Sequence, residues 1–282
     1  MLIVRSVTIF LCQPLLPAQR LIMLTLTLLM VLLGSSIAHA QQSGLPSANV
    51  PTTISWEAQQ LMQSLSKVNW ASAPDVPASD DVANWKKLAD TLIEKQTPAA
   101  AAVATNEQVK LKEMLLGGVP VLEILPKRWR ENHRVIVFFH GGAYTLNSAR
   151  SRLAAIPPLA NATGMRIISV DYTRAPIADW RVIQSQALAV IRALLKQGYA
   201  MKHIALLGES AGGGLATSTA LNVRDAGLGE PGAVVLWSPW VDLTDAGDTS
   251  ITLKEVDPIL NYEKELKSAA DAYAGTLALG VS

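Results

Sequence analysis

Cysteine is almost missing from this chain of 282 residues: only Cys12 is present. The rest of the chain can therefore form neither a disulfide nor a thiolate metal site. Charge of one sign is equally scarce. Lys and Arg number 24 against 23 Asp and Glu, a net charge of +1, and they are scattered along the chain. Nucleic-acid binding, which calls for a basic face, is thereby disfavoured. No G-x-x-x-x-G-K-[ST] phosphate loop occurs, no G-x-G-x-x-G fingerprint opens a strand–helix unit, and no His/Asp/Glu spacing repeats. No cofactor and no metal ion are expected.

Long apolar runs are limited to one, Leu21–Leu33, broken only by Thr25 and Thr27. Arg20 precedes it and Gly34-Ser-Ser-Ile-Ala-His-Ala40 follows. A charged flank, an apolar stretch and a small-residue A-x-A exit make up a secretory signal over 1–40, with cleavage expected after Ala40. The run is short for a membrane span, which takes about 20 apolar residues. A retained anchor is the alternative. Export to the periplasm or the medium, with Cys12 lost in the leader and no stable anchor afterwards, is the resulting expectation.

Residues 41–53, rich in Gln, Ser, Gly and Pro, read as a linker. Residues 54–105 read as an N-terminal helical cap region. One helix is expected over Ile54–Val68. A second, over Asp80–Glu94, opens at a Ser79-Asp80-Asp81 cap and sets Val82, Trp85, Leu88, Leu92 and Ile93 at helical spacing. Pro98 and the alanines after it are expected to end that region.

From 106 to 282 the texture is α/β. Val109–Leu115 and Val119–Leu125 flank Gly117-Gly118 as a β-hairpin. Strands are expected at Arg134–Phe139, Met165–Val170, His203–Leu207 and Ala233–Trp237. Helices are expected across most of Asn147–Thr163, with a break or restart at Pro157-Pro158, and over Trp180–Lys196 and Ala211–Asp225. In the second of these, Val182, Ala187, Leu188, Ile191, Leu194 and Leu195 form one apolar face. Strands alternating with helices call for a mostly parallel sheet with helices on both faces. Chemistry in such sheets sits at the carboxyl ends of the strands.

Gly208-Glu-Ser-Ala-Gly-Gly-Gly214 falls at such an end, between an apolar strand and a helix. Gly-x-Ser-x-Gly there is the nucleophile-elbow pattern, with Ser210 as nucleophile on a strained turn. A second turn, His140-Gly141-Gly142-Ala143, follows the strand ending at Phe139. A glycine-rich turn of this kind can aim backbone N–H groups at an oxyanion, and Ala211 adds the amide after the nucleophile. His140 itself reads as loop support, and Ala143 is expected to be tolerated there if its φ stays negative.

These segments, with Asp171-Tyr-Thr-Arg-Ala-Pro176 and Ser238-Pro-Trp-Val-Asp-Leu-Thr244, stand in the order of the hormone-sensitive-lipase-like branch of α/β-hydrolases, which the chain resembles over roughly residues 80–275. Its bacterial esterases and ε-lactone hydrolases are the nearest likeness. The resemblance implies an α/β-hydrolase fold and a carboxylic-ester or lactone hydrolase without cofactor. It makes Ser210 the nucleophile, with Gly142, Ala143 and Ala211 as oxyanion donors and Gly141 shaping their loop. Asp171 and Asp242 are structural by the same likeness. Thr173-Arg174 departs from the branch's usual Arg-Leu.

Such enzymes order their triad Ser, acid, His along the chain, yet no histidine follows Ser210. His39 belongs to the leader, and His133 and His203 precede strands, at the wrong end of the sheet. The expected reading is a chain lacking the last two strands and helices of the fold, and with them the acid and base. Its activity as it stands is then weak or absent. A non-catalytic binding protein on a decayed hydrolase scaffold is the alternative, and a peptidase of the same fold is a third possibility. Asn161-Ala-Thr163 fits a glycosylation sequon but reads as a helix end, and Trp237 and Trp240 read as packing.

Overall fold

A computed structural model describes residues 8–10, 50–65, 75–252 and 260–275. The apolar run Leu21–Leu33, the Ala40 junction and most of the 41–53 linker lie outside the described residues. Strands are β1 (Thr8–Phe10), β2 (Lys110–Leu116), β3 (Val119–Leu125), β4 (Val135–Phe139), β5 (Arg166–Val170), β6 (Ile204–Glu209) and β7 (Ala233–Trp237). The helices are α1 (Trp56–Leu65), α2 (Val82–Asn106), α3 (Ile156–Thr163), α4 (Trp180–Lys196), α5 (Ala211–Asp225), α6 (Asp248–Thr252) and α7 (Lys267–Ala274).

One sheet orders the strands β1-β7-β6-β4-β5-β3-β2. Its centre is parallel: β4 pairs with β5 and β6, and β6 with β7. The flanks, β2–β3–β5 and β1–β7, are antiparallel. Every residue of β4 and β5 is buried, whereas those of β7 are only partly so.

Side chains along β4 alternate between two cores, as the pleat requires. Val135, Val137 and Phe139 join the core under α4 and α5, while Ile136 and Phe138 join the one under α3 and the end of α2. Helix α4 is capped by Asp179, whose carboxylate accepts from Arg181 N and Val182 N. Its buried stripe is Ile183, Ala187, Val190, Ile191 and Leu194, and Val182 turns outwards at 45% exposure. Ala187, Ile191 and Leu194 are buried as expected and Leu188 and Leu195 pack partly on the core, so the face differs mainly in having Ile183 and Val190 rather than Val182.

Two segments differ more from expectation. Helix α2 does not stop before Pro98 but runs through it to Asn106. A proline inside a helix costs about 3 kcal/mol, and burial offsets that cost here: Ala100 and Ala104, just beyond it, are packed against the sheet. Asp81 caps this helix as expected, accepting from Asn84 N at 3.1 Å. Residues 147–155 are turns, with a helix only from Ile156, where Pro157 occupies the first turn. Ser148 and Ser151 bond each other's backbone amides, and Asp171 accepts from Ala149 N. These side chains satisfy the backbone outside a helix.

At the edge remote from Ser210, Arg166 Nε donates to Glu123 Oε1 at 2.7 Å and its Nη1 to Tyr199 at 3.1 Å. Both charges are nearly buried. Removing one partner of such a pair strands the other. Arg166→Ala should therefore lose about 3 kcal/mol of unfolding free energy, while an Arg166→Met/Glu123→Leu double variant should lose clearly less; urea denaturation of the three proteins checks this.

Candidate active site

Register brings two turns together. Phe139 pairs with Gly208 across the parallel β4–β6 ladder, so the chain leaves both strands at the same level. His140-Gly141 thus emerges beside Glu209-Ser210. A Cβ on Gly141 would stand 2.9 Å from Glu209 O and 3.2 Å from the Ser210 Cβ, closer than side chains tolerate.

Ser210 holds φ 52° and ψ −121° between β6 and α5, a conformation that costs a non-glycine residue about 1–3 kcal/mol. The surroundings impose it. Ser210 N donates to Trp237 O at 2.9 Å, and its carbonyl accepts from Gly213, Gly214 and Trp240. The neighbouring glycines make the turn possible. A Cβ on Gly208 would lie 2.0 Å from Gly212 O, and one on Gly212 would lie 2.1 Å from Phe139 O. Ser210 itself is only partly buried, at the amino end of a helix of fifteen residues. The helix dipole there favours negative charge.

The facing loop is strained over several residues: Gly142 has φ 116°, Ala143 51° and Tyr144 64°. The expected negative φ at Ala143 does not hold. The reversal arises because Thr145 N and Leu146 N both donate to Gly142 O, which curls the loop tightly. Among the described residues the amides of Gly142, Ala143 and Ala211 donate to no protein acceptor, and these are the three amides singled out from the sequence. Gly141 contributes shape. Its carbonyl accepts from Asn147 Nδ2 at 3.0 Å and from His140 Nδ1 at 2.9 Å.

His140 is fully buried. Its ring stacks on Tyr172 with centroids 4.2 Å apart, and the Tyr172 hydroxyl donates to His140 O at 2.7 Å. Burial pushes the imidazole down to about 4, so it is neutral at pH 7 with the proton on Nδ1. Tyr172 and Asn147 are loop supports that the motifs did not flag. The tyrosine stood inside the Asp171–Pro176 motif, but nothing in sequence tied it to His140. Tyr144, whose hydroxyl meets the first turn of α5 at Gly214, stacks on Tyr273 of α7 at 3.7 Å.

No described histidine is placed to serve Ser210 as a base. His140 is engaged under the loop. His133 precedes β4, and His203 precedes β6, roughly 20 Å from Ser210 at about 3.3 Å per strand residue. Asp171 and Asp242 are occupied locally, by Ala149 N and by Thr244. No metal-holding cluster occurs among the described residues. Trp240 packs on Tyr144. The Asn161 amide is engaged with Glu107 and Lys127.

Two outcomes follow from the loop. The folded pKa of His140, about 4, lies below its ordinary 6.5. The unfolded chain therefore takes the proton first, and stability is lost as pH falls from 6.5 to 4, by about 3 kcal/mol in full. His140→Gln should flatten the pH dependence of unfolding in that window by about this amount; equal slopes would show that His140 does not carry it. Ala143→Gly should stay within about 1 kcal/mol of the parent, because glycine accepts positive φ. Ala143→Val should lose about 2 kcal/mol or more, since β-branched residues avoid that region. Thermal unfolding measures both.

Comparison with known proteins agrees with this fold. A family model for the alpha/beta hydrolase fold matches residues 136–279, about half of the chain. An acetyl-hydrolase of Streptomyces hygroscopicus is 36% identical over 148 residues, covering 52% of this chain and 49% of that protein. An esterase of Acinetobacter venetianus is 32% identical over 158 residues, covering 56% and 52%. The crystal structure of an esterase from the bacterial hormone-sensitive lipase family matches with a TM-score of 0.63 at 28% identity, over 75% of this chain and 67% of that one. The chain spans about half the length of the curated relatives it matches. With its sheet, its elbow and its facing glycine loop, the chain belongs to the α/β-hydrolase fold family, in the hormone-sensitive-lipase-like branch.

Proposed function

We propose that this chain carries the nucleophilic half of a carboxylic-ester or lactone hydrolase. The observation that supports it most is the strained Ser210, held at φ 52° against a loop whose Gly142 and Ala143 amides are unbonded. A binding protein has no need of either feature. The named activity of one relative, acetyl-hydrolase, favours a small acyl group.

In this scheme Ser210 Oγ attacks the ester carbonyl carbon. The amides of Gly142, Ala143 and Ala211 hold the developing oxyanion, each worth about 10²–10³ in rate. The alcohol leaves, and water then attacks the acyl-serine to release the acid. A serine hydroxyl needs a base to act at neutral pH, and none is placed for it among the described residues. With no base placed for Ser210 among the described residues, we infer that these residues hydrolyse esters weakly or not at all. Residues 54–105 would form part of a cap over the substrate. The leader would export the protein to the periplasm or the medium. Among the described residues no helix is long and apolar enough to cross a membrane.

A fluorophosphonate probe should label Ser210 in the full-length gene product, and Ser210→Ala should abolish labelling. The same variant should lower kcat/KM for p-nitrophenyl acetate by about 10³-fold or more. Peptide anilides should be cleaved far more slowly than short-chain esters. Absence of both labelling and turnover in the full-length gene product would favour a binding role instead.

A further inference from the structure

Glu209 stands immediately before the nucleophile, and the hydrolytic scheme gives it no part. Its carboxylate packs against the loop: Glu209 Cδ is 3.4 Å from where a Cβ on Gly141 would stand, and the Ser210 Cβ is 3.2 Å from the same point. Carboxylate and nucleophile therefore flank one glycine, whose successors supply two of the oxyanion donors. Arg152 reaches this carboxylate from the turn segment 147–155, and its Nη2 donates to Glu209 Oε1. Side-chain exposures are 20% for Arg152 and 17% for Glu209, so water screens the pair little. Arg152 Nε and Glu209 Oε2 are buried without a partner among the described residues. The guanidinium thus contributes a single hydrogen bond rather than a fork. That is poor use of arginine as a mechanical tie, but its full charge still faces the carboxylate.

A negative charge beside Gly141 opposes the negative charge that forms on the substrate oxygen, and poor screening makes the opposition costly. We propose that Arg152 is a positioning residue for ester hydrolysis, acting through Glu209 to cancel its charge beside the oxyanion. This rests on Ser210 being the nucleophile.

The two roles an ion pair can have here separate cleanly. If the pair only ties the loop to the elbow, then Arg152→Gln, Glu209→Gln and the double variant all break the tie and should lose activity alike. If charge cancellation matters, Arg152→Gln alone leaves the carboxylate uncompensated. Kinetics with p-nitrophenyl acetate in the full-length gene product test this. Arg152→Gln should lower kcat about tenfold or more with KM little changed. Glu209→Gln should keep or raise kcat, the double variant should return to within about threefold of the parent, and Arg152→Lys should retain most activity. Thermal midpoints confirm folding. Should Arg152→Gln fail to fold, Glu209→Gln carries the test, and a tenfold loss there overturns the proposal. Equal loss in all three variants, or an unaffected Arg152→Gln, also overturns it. Ser210→Ala run alongside keeps the readings apart. Parent turnover that depends on Ser210 but lacks this pattern sinks only the role of Arg152, whereas no such turnover sinks both.

Discussion

The close approach of two strand ends governs everything built around Ser210. Phe139 and Gly208 are paired in register, and the first turn of α5 descends onto the β4 carbonyls so tightly that a single methyl on Gly212 would lie 2.1 Å from Phe139 O. This contact sets the height of the elbow above the sheet. It also fixes where His140-Gly141 emerges, and hence the distance from Ser210 to the loop amides. Loosening it would shift Ser210 and the loop amides relative to one another.

Strain is concentrated at that contact, and hydrogen bonds hold it. Ser210, Ala143 and Tyr144 all adopt positive φ, at a cost of several kcal/mol together. The restraints come from outside the two turns. Trp237 and Trp240 backbones fasten Ser210, Tyr172 and Asn147 fasten the His140–Gly141 segment, and Tyr144 is sandwiched towards α7 by Tyr273. The site is thus preorganised by β5, β7 and α7 as much as by the motifs themselves. A neutral, buried His140 suits this arrangement, since a charged imidazole under the loop would leave its Nε2–H without an acceptor.

Much of this was legible in the residues. The hairpin, the four central strands and helices α4 and α5 fall within one or two residues of where pattern placed them, because β-branched runs and amphipathic stripes carry strong local signals. The turn at Ser210 and the glycine loop beside it were legible as local structure because each follows directly on an apolar strand. The failures are instructive. Pro98 reads locally as a stop, yet Ala100 and Ala104 gain enough by burial against the sheet to carry the helix through it. Residues 147–155 carry helix-like composition, but Ser148, Ser151 and the distant Asp171 satisfy their backbone better as turns. At Ala143 local preference pointed to negative φ, and two amides converging on Gly142 O overruled it.

Sequence alone determined the class of fold, the strand–turn–helix at Ser210 with its neighbouring glycine loop, and the lack of any histidine between Ser210 and residue 282. Those properties reside in contiguous residues, where propensity, periodicity and glycine placement are written directly. Tertiary structure alone decided which distant groups meet: Arg152 with Glu209 across 57 positions, Tyr172 with His140, and Tyr273 with Tyr144. Such pairings follow from strand order and register, which depend on how both faces of the sheet bury their side chains at once. No local stretch of residues encodes that.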